Sequence, residues 1–248
     1  MRPPKSPLVL DLIPARSVVD IGCGVGSWLA TFAANGVTDF HGFDGAHINS
    51  AFLQIPSERF TSADLTQPLS ISRRYDLALS LEVAEHLDPE VADRHIDQLT
   101  RLAPVVLFSA AIPGQGGMHH VNEQWPEYWA ARFAALHYRA VDALRPQLAR
   151  FSTKVEFWYA QNILLYVEES VLSNYPKLSS LVLATHADSL AWVHPAAYEG
   201  VKRDLAAAQC EAEHWTTEAN SARRAIRRLP GLLWRAAATQ CVRFFQHK

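Results

Sequence analysis

The stretch Glu82-Val83-Ala84-Glu85-His86 places two carboxylates and an imidazole within five residues, and two more imidazoles stand together at His119-His120. If the first stretch is one helical turn, positions 82, 85 and 86 are i, i+3 and i+4 and share a face. Oxygen and nitrogen donors in this mixture suit a divalent cation such as magnesium, manganese or zinc, with Glu82, Glu85, His86 and His120 as the candidate ligands. The same residues allow metal-free proton transfer, with His119 or His120 as general base and Glu85 and His86 beside it. In the plainest reading, Glu85 and His86 only cap and brace a loop.

Each cluster follows an apolar run. Residues 74–81, RYDLALSL, suit a strand buried on both faces of a parallel sheet, and 105–110, VVLFSA, form the next strand. Ligands bind at the carboxyl ends of such strands, which is where both clusters fall. The second is reached through a glycine-rich loop, AIPGQGGM, an unusual choice for a purely structural connection.

A third feature precedes both. Residues 17–21, SVVDI, form a β-branched run, Gly22-Cys23-Gly24-Val25-Gly26 follows, and an apolar-periodic segment begins at Trp28, so the order is strand, glycine turn, helix. Glycines at alternate positions remove every Cβ from the turn and let a ligand approach the backbone. A dinucleotide fingerprint needs its third glycine where Ser27 stands, whereas here it falls one residue early at Gly26. Residues 38–43 form the next strand and Asp44 stands at its tip, 18 positions after Gly26. An acid there can accept both hydroxyl hydrogens of a ribose; its other use is as a turn residue before Gly45.

Asp20, two residues ahead of Gly22, completes D-x-G-x-G-x-G, which resembles the first motif of the class I S-adenosylmethionine (SAM) dependent methyltransferases. The resemblance implies an α/β fold, a Rossmann-like seven-stranded sheet with an antiparallel last strand, and a short helix over residues 6–12 that closes over the cofactor. It implies SAM as cofactor, with Asp20, Gly22, Gly24 and Gly26 at its methionine end and Asp44 on the ribose. Asp64, which follows a short strand at 59–61, is implied to meet the adenine amino group, although a turn role suits it as well.

The E-x-x-E-H stretch with a later histidine is similar to the metal-dependent branch of these enzymes. That branch includes the small-RNA terminal 2′-O-methyltransferases and the catechol-methylating enzymes of ubiquinone synthesis. The implied activity is methyl transfer to a hydroxyl of a sugar, glycan or other small hydroxylated acceptor, with Mg2+ or another divalent cation as a possible aid. Methylation of an RNA 2′-hydroxyl and a non-catalytic methyltransferase-like scaffold are the alternatives.

The remaining elements follow from local signals. Asp88-Pro89 starts a helix through Arg101, a second helix covers 125–136, and an antiparallel pair covers 138–144 and 162–167. Phe157, Trp158 and Tyr159 between that pair either wall a substrate pocket or fill core. The expected division is a methyltransferase domain over 1–170, a helical connector over 171–197 and an extension over 198–248.

With 49% hydrophobic and 19% charged residues the composition is that of a globular protein. Three cysteines without a C-x-x-C spacing point to a reducing, cytoplasmic setting, and the N-terminal apolar run is too short for a signal peptide or membrane span. Residues 221–248 carry seven basic residues and no acid, leaving a net charge of −9 on the rest, which disfavours nucleic acid as a partner. From Tyr198 apolar residues recur at alternating spacings of three and four, an a/d stripe that suits homo-oligomerisation through 198–229 or packing back on the domain. The basic amphipathic end, residues 232–245, is either an ordinary solvated face or a peripheral membrane contact at the inner face. Its composition resembles tails on bacterial enzymes that build surface polysaccharide, which tilts the acceptor toward a sugar hydroxyl.

Overall fold

Short runs of Val, Ile and Leu form the centre of a seven-stranded sheet in the computed structural model, which describes residues 6–148, 155–182, 185–186 and 189–227. The strands are β1 (Ser17–Ile21), β2 (Asp39–Asp44), β3 (Phe60–Ser62), β4 (Leu77–Leu81), β5 (Val105–Ser109), β6 (Tyr138–Val141) and β7 (Leu164–Glu168). Their order is β3-β2-β1-β4-β5-β7-β6. β1 to β5 run parallel, and β7 lies antiparallel between β5 and β6. Every residue of β4 and β5 is buried, as a strand covered on both faces requires, whereas β2 alternates buried and half-buried positions. The strand order reverses between β1 and β4, the switch point at which doubly wound sheets hold ligands.

Helices cover both faces: α1 (Ser6–Leu12), α2 (Ser27–Ala34), α3 (Ala92–Leu102), α4 (Pro126–Ala135), α5 (Arg145–Leu148), α6 (Phe157–Asn162) and α7 (Pro176–Val182). One core layer joins Val9 and Ile13 near α1, Leu29 and Phe32 of α2, and Leu178 and Val182 of α7. The other joins Ile96 and Leu99 of α3 with Trp129 and Phe133 of α4. Each such side chain contributes about 1.5–3 kcal/mol of burial. Phe133 stacks on Tyr166 of β7 at 3.8 Å between ring centroids, and the Tyr138 hydroxyl donates to the carbonyls of Thr100 and Ala103 that α3 leaves unpaired at its end.

The compact unit built on the sheet runs to Ala197, and Leu178, Val182 and Leu190, from the stretch expected as a helical connector, are buried in its core layers. The second unit is Tyr198–Lys248, described as far as Arg227. A helix, α8 (Pro195–Arg227), accounts for its described part, and Tyr198, Val201, Leu205 and Trp215 of the apolar stripe are exposed. Leu229, Pro230-Gly231 and the basic segment lie outside the described residues. Among the described helices none is long and apolar enough to cross a membrane.

Two local differences bear on the site. Residues 82–86 do not form one helical turn: Glu82 has a left-handed backbone (φ 56°), and only Ala84–His86 make a single 3-10 turn. The cause is visible in the hydrogen bonds of Glu82 N, which donates to the carbonyl and hydroxyl oxygens of Ser109 at the end of β5. The shared face expected for Glu82, Glu85 and His86 therefore does not exist. The aromatic run at 157–159 is helical, in α6, and Asn162 closes that helix instead of opening β7.

The turn after β1 packs directly on the turn after β4. Gly22 has φ 86°, and a Cβ there would lie 2.3 Å from Val83 Cγ2. Gly22→Ala is expected to cost about 2–5 kcal/mol, combining backbone strain with overpacking. In chemical denaturation, adding Val83→Ala should recover the packing part and leave the strain.

Candidate active site

The glycine turn, the tip of β2 and the loop after β5 converge on a cavity of about 790 Å³, lined by Gly22, Asp44, Asp64, His86, His119 and His120 among others. Its volume is that of a site for a cofactor-sized ligand. Gly22, Gly24 and Gly26 all have positive φ, 86°, 54° and 82°, which explains why glycine stands at each. A Cβ on Gly26 would press on Ile55, whereas one on Gly24 would meet nothing within 4 Å, so at Gly24 the backbone borders open space.

Asp44 fastens the turn to the strand tip. Its Oδ2 accepts from Gly24 N at 2.6 Å and its Oδ1 from Gly45 N at 2.6 Å, leaving each oxygen a lone pair for a further donor. Asp64 also lines the cavity, but its Oδ1 accepts from the Thr66 backbone and hydroxyl. Those bonds hold its carboxyl below the usual range, the pattern of a turn aspartate. Asp20 sits within β1, 2% exposed, and burial, then the charge of Asp44, pushes its carboxyl up to about 7. Burial likewise raises the Cys23 thiol, which leaves it inert at neutral pH.

At the other end of the cavity the structure brings together Glu85, His86 and His120. One ligand atom from each can be chosen so that all three lie within 4.8 Å of one another. Glu85 is fully buried, and neither carboxyl oxygen has a hydrogen-bond partner of good geometry. Burial and then the charge of Glu82 push it up to about 8, with nearby backbone N–H groups softening the rise. A buried carboxyl whose oxygens lack hydrogen bonds of good geometry, beside two imidazoles, is a donor set that fits a divalent cation.

His86 Nδ1 faces the His119 carbonyl at 3.3 Å, and His120 Nδ1 faces Glu123 Oε1 at 2.8 Å. Both partners only accept, so each Nδ1 donates, and in the neutral ring each Nε2 retains its lone pair. Burial, ahead of the neighbouring histidines, lowers the pKa of His86 and favours the neutral ring a ligand needs.

Glu82 is not part of this trio. Its carboxylate accepts from Gln115 Nε2 at 3.1 Å and Asn162 Nδ2 at 3.2 Å. His119 lines the cavity with a left-handed backbone, φ 61°, and its carbonyl serves His86. Sequence reasoning missed Glu123, Gln115 and Asn162. The spacing of Glu123, three residues beyond His120, was a signal for the first; nothing in the sequence ties Asn162 to a residue 80 positions earlier.

The strand order, the reversed β7 and a cavity over the carboxyl ends at the switch point define a class I methyltransferase fold. A family model described as a methyltransferase domain matches residues 3–154, more than half of the sequence, and the chain belongs to that family of SAM-dependent methyltransferases. No curated protein sequence matches it.

Solved structures similar in fold include the magnesium protoporphyrin IX methyltransferase of Synechocystis PCC 6803 with bound SAM, 21% identical over 65% of this chain and 74% of that one, TM-score 0.46. The sugar N-methyltransferase KedS8 of Streptoalloteichus sp ATCC 53650 is 15% identical over 65% and 84%, TM-score 0.49. An O-methyltransferase family protein from Burkholderia thailandensis is 13% identical over 62% of this chain, TM-score 0.46, and this chain spans 51% of its length.

The raised carboxyl of Asp20 makes a pH-dependent contribution to folding. Its folded value, about 7, lies above its unfolded value, 3.8, so the contribution is fully present below pH 3.8 and is lost as pH rises through about 7. The loss amounts to about 4 kcal/mol across that window. The difference in unfolding free energy between wild type and Asp20→Asn is expected to move in favour of the variant from pH 4 to pH 8. A difference independent of pH would show that Asp20 stays ionised in its strand.

Proposed function

We propose that the chain is a SAM-dependent O-methyltransferase that methylates a hydroxyl of a sugar, glycan or other small polar acceptor with the aid of a divalent cation. The observation that carries this reading is Glu85, a buried carboxyl with no hydrogen bond of good geometry, whose ligand atom lies within 4.8 Å of those of His86 and His120, two residues that line the cavity bordered by Asp44 and the glycine turn. An amine becomes a nucleophile on losing one proton near neutral pH, whereas an alcohol must be made far more acidic. A cation site is therefore better matched to an oxygen acceptor.

When bound, SAM supplies an electrophilic methyl on a sulfonium, and a divalent cation lowers the pKa of a hydroxyl beside it. The protein supplies placement. Asp44 has the free lone pairs to accept two ribose hydroxyls, and the Cβ-free face at Gly24 leaves room for the ligand against the turn. Glu85, His86 and His120 would hold the cation through one carboxylate and two imidazole nitrogens. Glu82, turned toward Gln115 and Asn162, ties the end of β4 to the loop after β5 and to α6, which keeps the trio in place.

The apolar stripe of α8 supports self-association of the full chain in parallel. With Tyr198 at position a, Tyr198, Leu205, Ala212, Ala219 and Ile226 alternate with Val201, Ala208, Trp215 and Ala222 at d. Glu218 and Arg223 then occupy g and the following e, which attract across a parallel pair, whereas an antiparallel pair would face Asp204, Glu211 and Glu218 against one another. Sedimentation is expected to show a dimer that Trp215→Glu converts to monomer; an unchanged sedimentation coefficient would remove this assignment.

Calorimetry with SAM and turnover assays with sugar acceptors, each with and without chelator, test the main reading. Asp44→Ala is expected to weaken SAM binding by about 100-fold or more, the worth of two charge-assisted hydrogen bonds. Glu85→Gln and His120→Ala should leave SAM affinity near wild type and remove turnover, and chelation should do the same reversibly. Full turnover in chelator would make His120 a general base in place of a ligand, and full turnover of Glu85→Gln would end the assignment of this trio.

A further inference from the structure

We propose that Glu123 is a positioning residue that holds the His120 imidazole in its Nδ1–H tautomer and, with the same carboxylate, ties that tautomer to the shape of the glycine loop at 114–117. Its consequence for cation binding rests on the reading of Glu85, His86 and His120 given above.

Three donors converge on this carboxylate. Oε1 accepts from His120 Nδ1 at 2.8 Å and from Gly116 N at 2.9 Å, and Oε2 accepts from Gly114 N at 2.7 Å. A carboxylate can only accept, so Nδ1 carries a proton, and in the neutral ring the lone pair lies on Nε2. Gly114 and Gly116 have φ of 81° and 72°, a left-handed backbone that side chains rarely adopt, and this turns both N–H groups onto one acceptor. Between them Gln115 donates to Glu82, so the loop that Glu123 grips also braces the end of β4.

The nitrogen left unprotonated is the one beside Gly117. A Cβ on Gly117 would lie 2.3 Å from His120 Nε2, so only glycine leaves that nitrogen accessible without a shift. Carboxylate partners of ligating histidines fix tautomer and ring orientation, and their loss typically weakens metal binding 10–100-fold.

Replacing the carboxylate by an amide keeps the shape and removes one acceptor. In Glu123→Gln the amide NH2 must face either Gly114 N or the pair formed by His120 and Gly116, so the tautomer and the loop can no longer both be satisfied. The first measurement is the tautomer of His120 in the metal-free full chain labelled with 15N-histidine. Long-range 1H–15N spectra are expected to show Nδ1–H with an unprotonated Nε2, and Glu123→Gln should move the population toward Nε2–H. Glu123→Asp, which keeps the charge, should restore part of the wild-type spectrum.

The second measurement is Mn2+ affinity by electron paramagnetic resonance. Glu123→Gln is expected to weaken it about 10–100-fold with SAM affinity unchanged. Gly117→Ala should weaken it without altering the tautomer. An Nε2–H tautomer in the wild type would overturn the proposal, as would a Glu123→Gln variant in which neither the His120 spectrum nor the backbone amide shifts of Gly114 and Gly116 differ from wild type. If the tautomer shifts as described but Mn2+ binds neither protein, the positioning role stands and the cation reading fails. Should Glu123→Gln not fold, the wild-type tautomer and the Gly117→Ala titration decide the question.

Discussion

The contact between Gly22 and Val83 is the constraint on which the rest of the site depends. A side chain at either the first glycine or a larger one at 83 would push apart the turns that follow β1 and β4. With no Cβ at 22 the turns touch, and Asp44 at the tip of β2, His86 after β4 and His120 after β5 border one cavity. Asp44 completes the arrangement by bridging the backbone of the glycine turn and its own strand tip. Positioning here is done mainly by the main chain, which is stiffer than side-chain packing would be.

The electrostatics of the cavity follow from the same geometry. Asp20 feels Asp44, and Glu85 feels Glu82 and Glu123, all charges of one sign. Burial removes the water that would otherwise screen them. Such a cavity holds its acids partly protonated when nothing positive is near, and it favours ligands that bring positive charge, as a sulfonium or a divalent cation does.

Much of this was legible in the sequence, and the reasons for the rest are physical. The order strand, glycine turn, helix, strand, acid was set by local signals: β-branched runs, φ-permissive glycines and an acid at a strand tip. The burial of 77–81 on both faces was readable from the apolar run at 74–81. What could not be read was the direction of Glu82. Its backbone is turned left-handed by hydrogen bonds to Ser109, a partner on another strand, and helical spacing arguments assume a backbone that tertiary contacts here override. Asn162 was invisible for a related reason, since an amide in a short helix carries no periodic signature, whereas Glu123 left only its spacing of three from His120. Asp64 shows the reverse case, a residue whose local turn chemistry with Thr66 was as readable as the role implied by family resemblance.

The loop that follows β5 has its own mechanical consequence. Val121 N and Asn122 N both donate to the carbonyl of Glu85, and Gln124 N donates to that of Ala111. The far limb of the loop is thus anchored to the backbone of the very residue whose side chain lacks a partner. A swing of that limb away from the cavity would break both amide bonds at once and release the peptide plane of Glu85. Access for a bulky acceptor and the integrity of the acidic centre are therefore geared together, and a hinge that spares the centre has to lie among the glycines at 114–117.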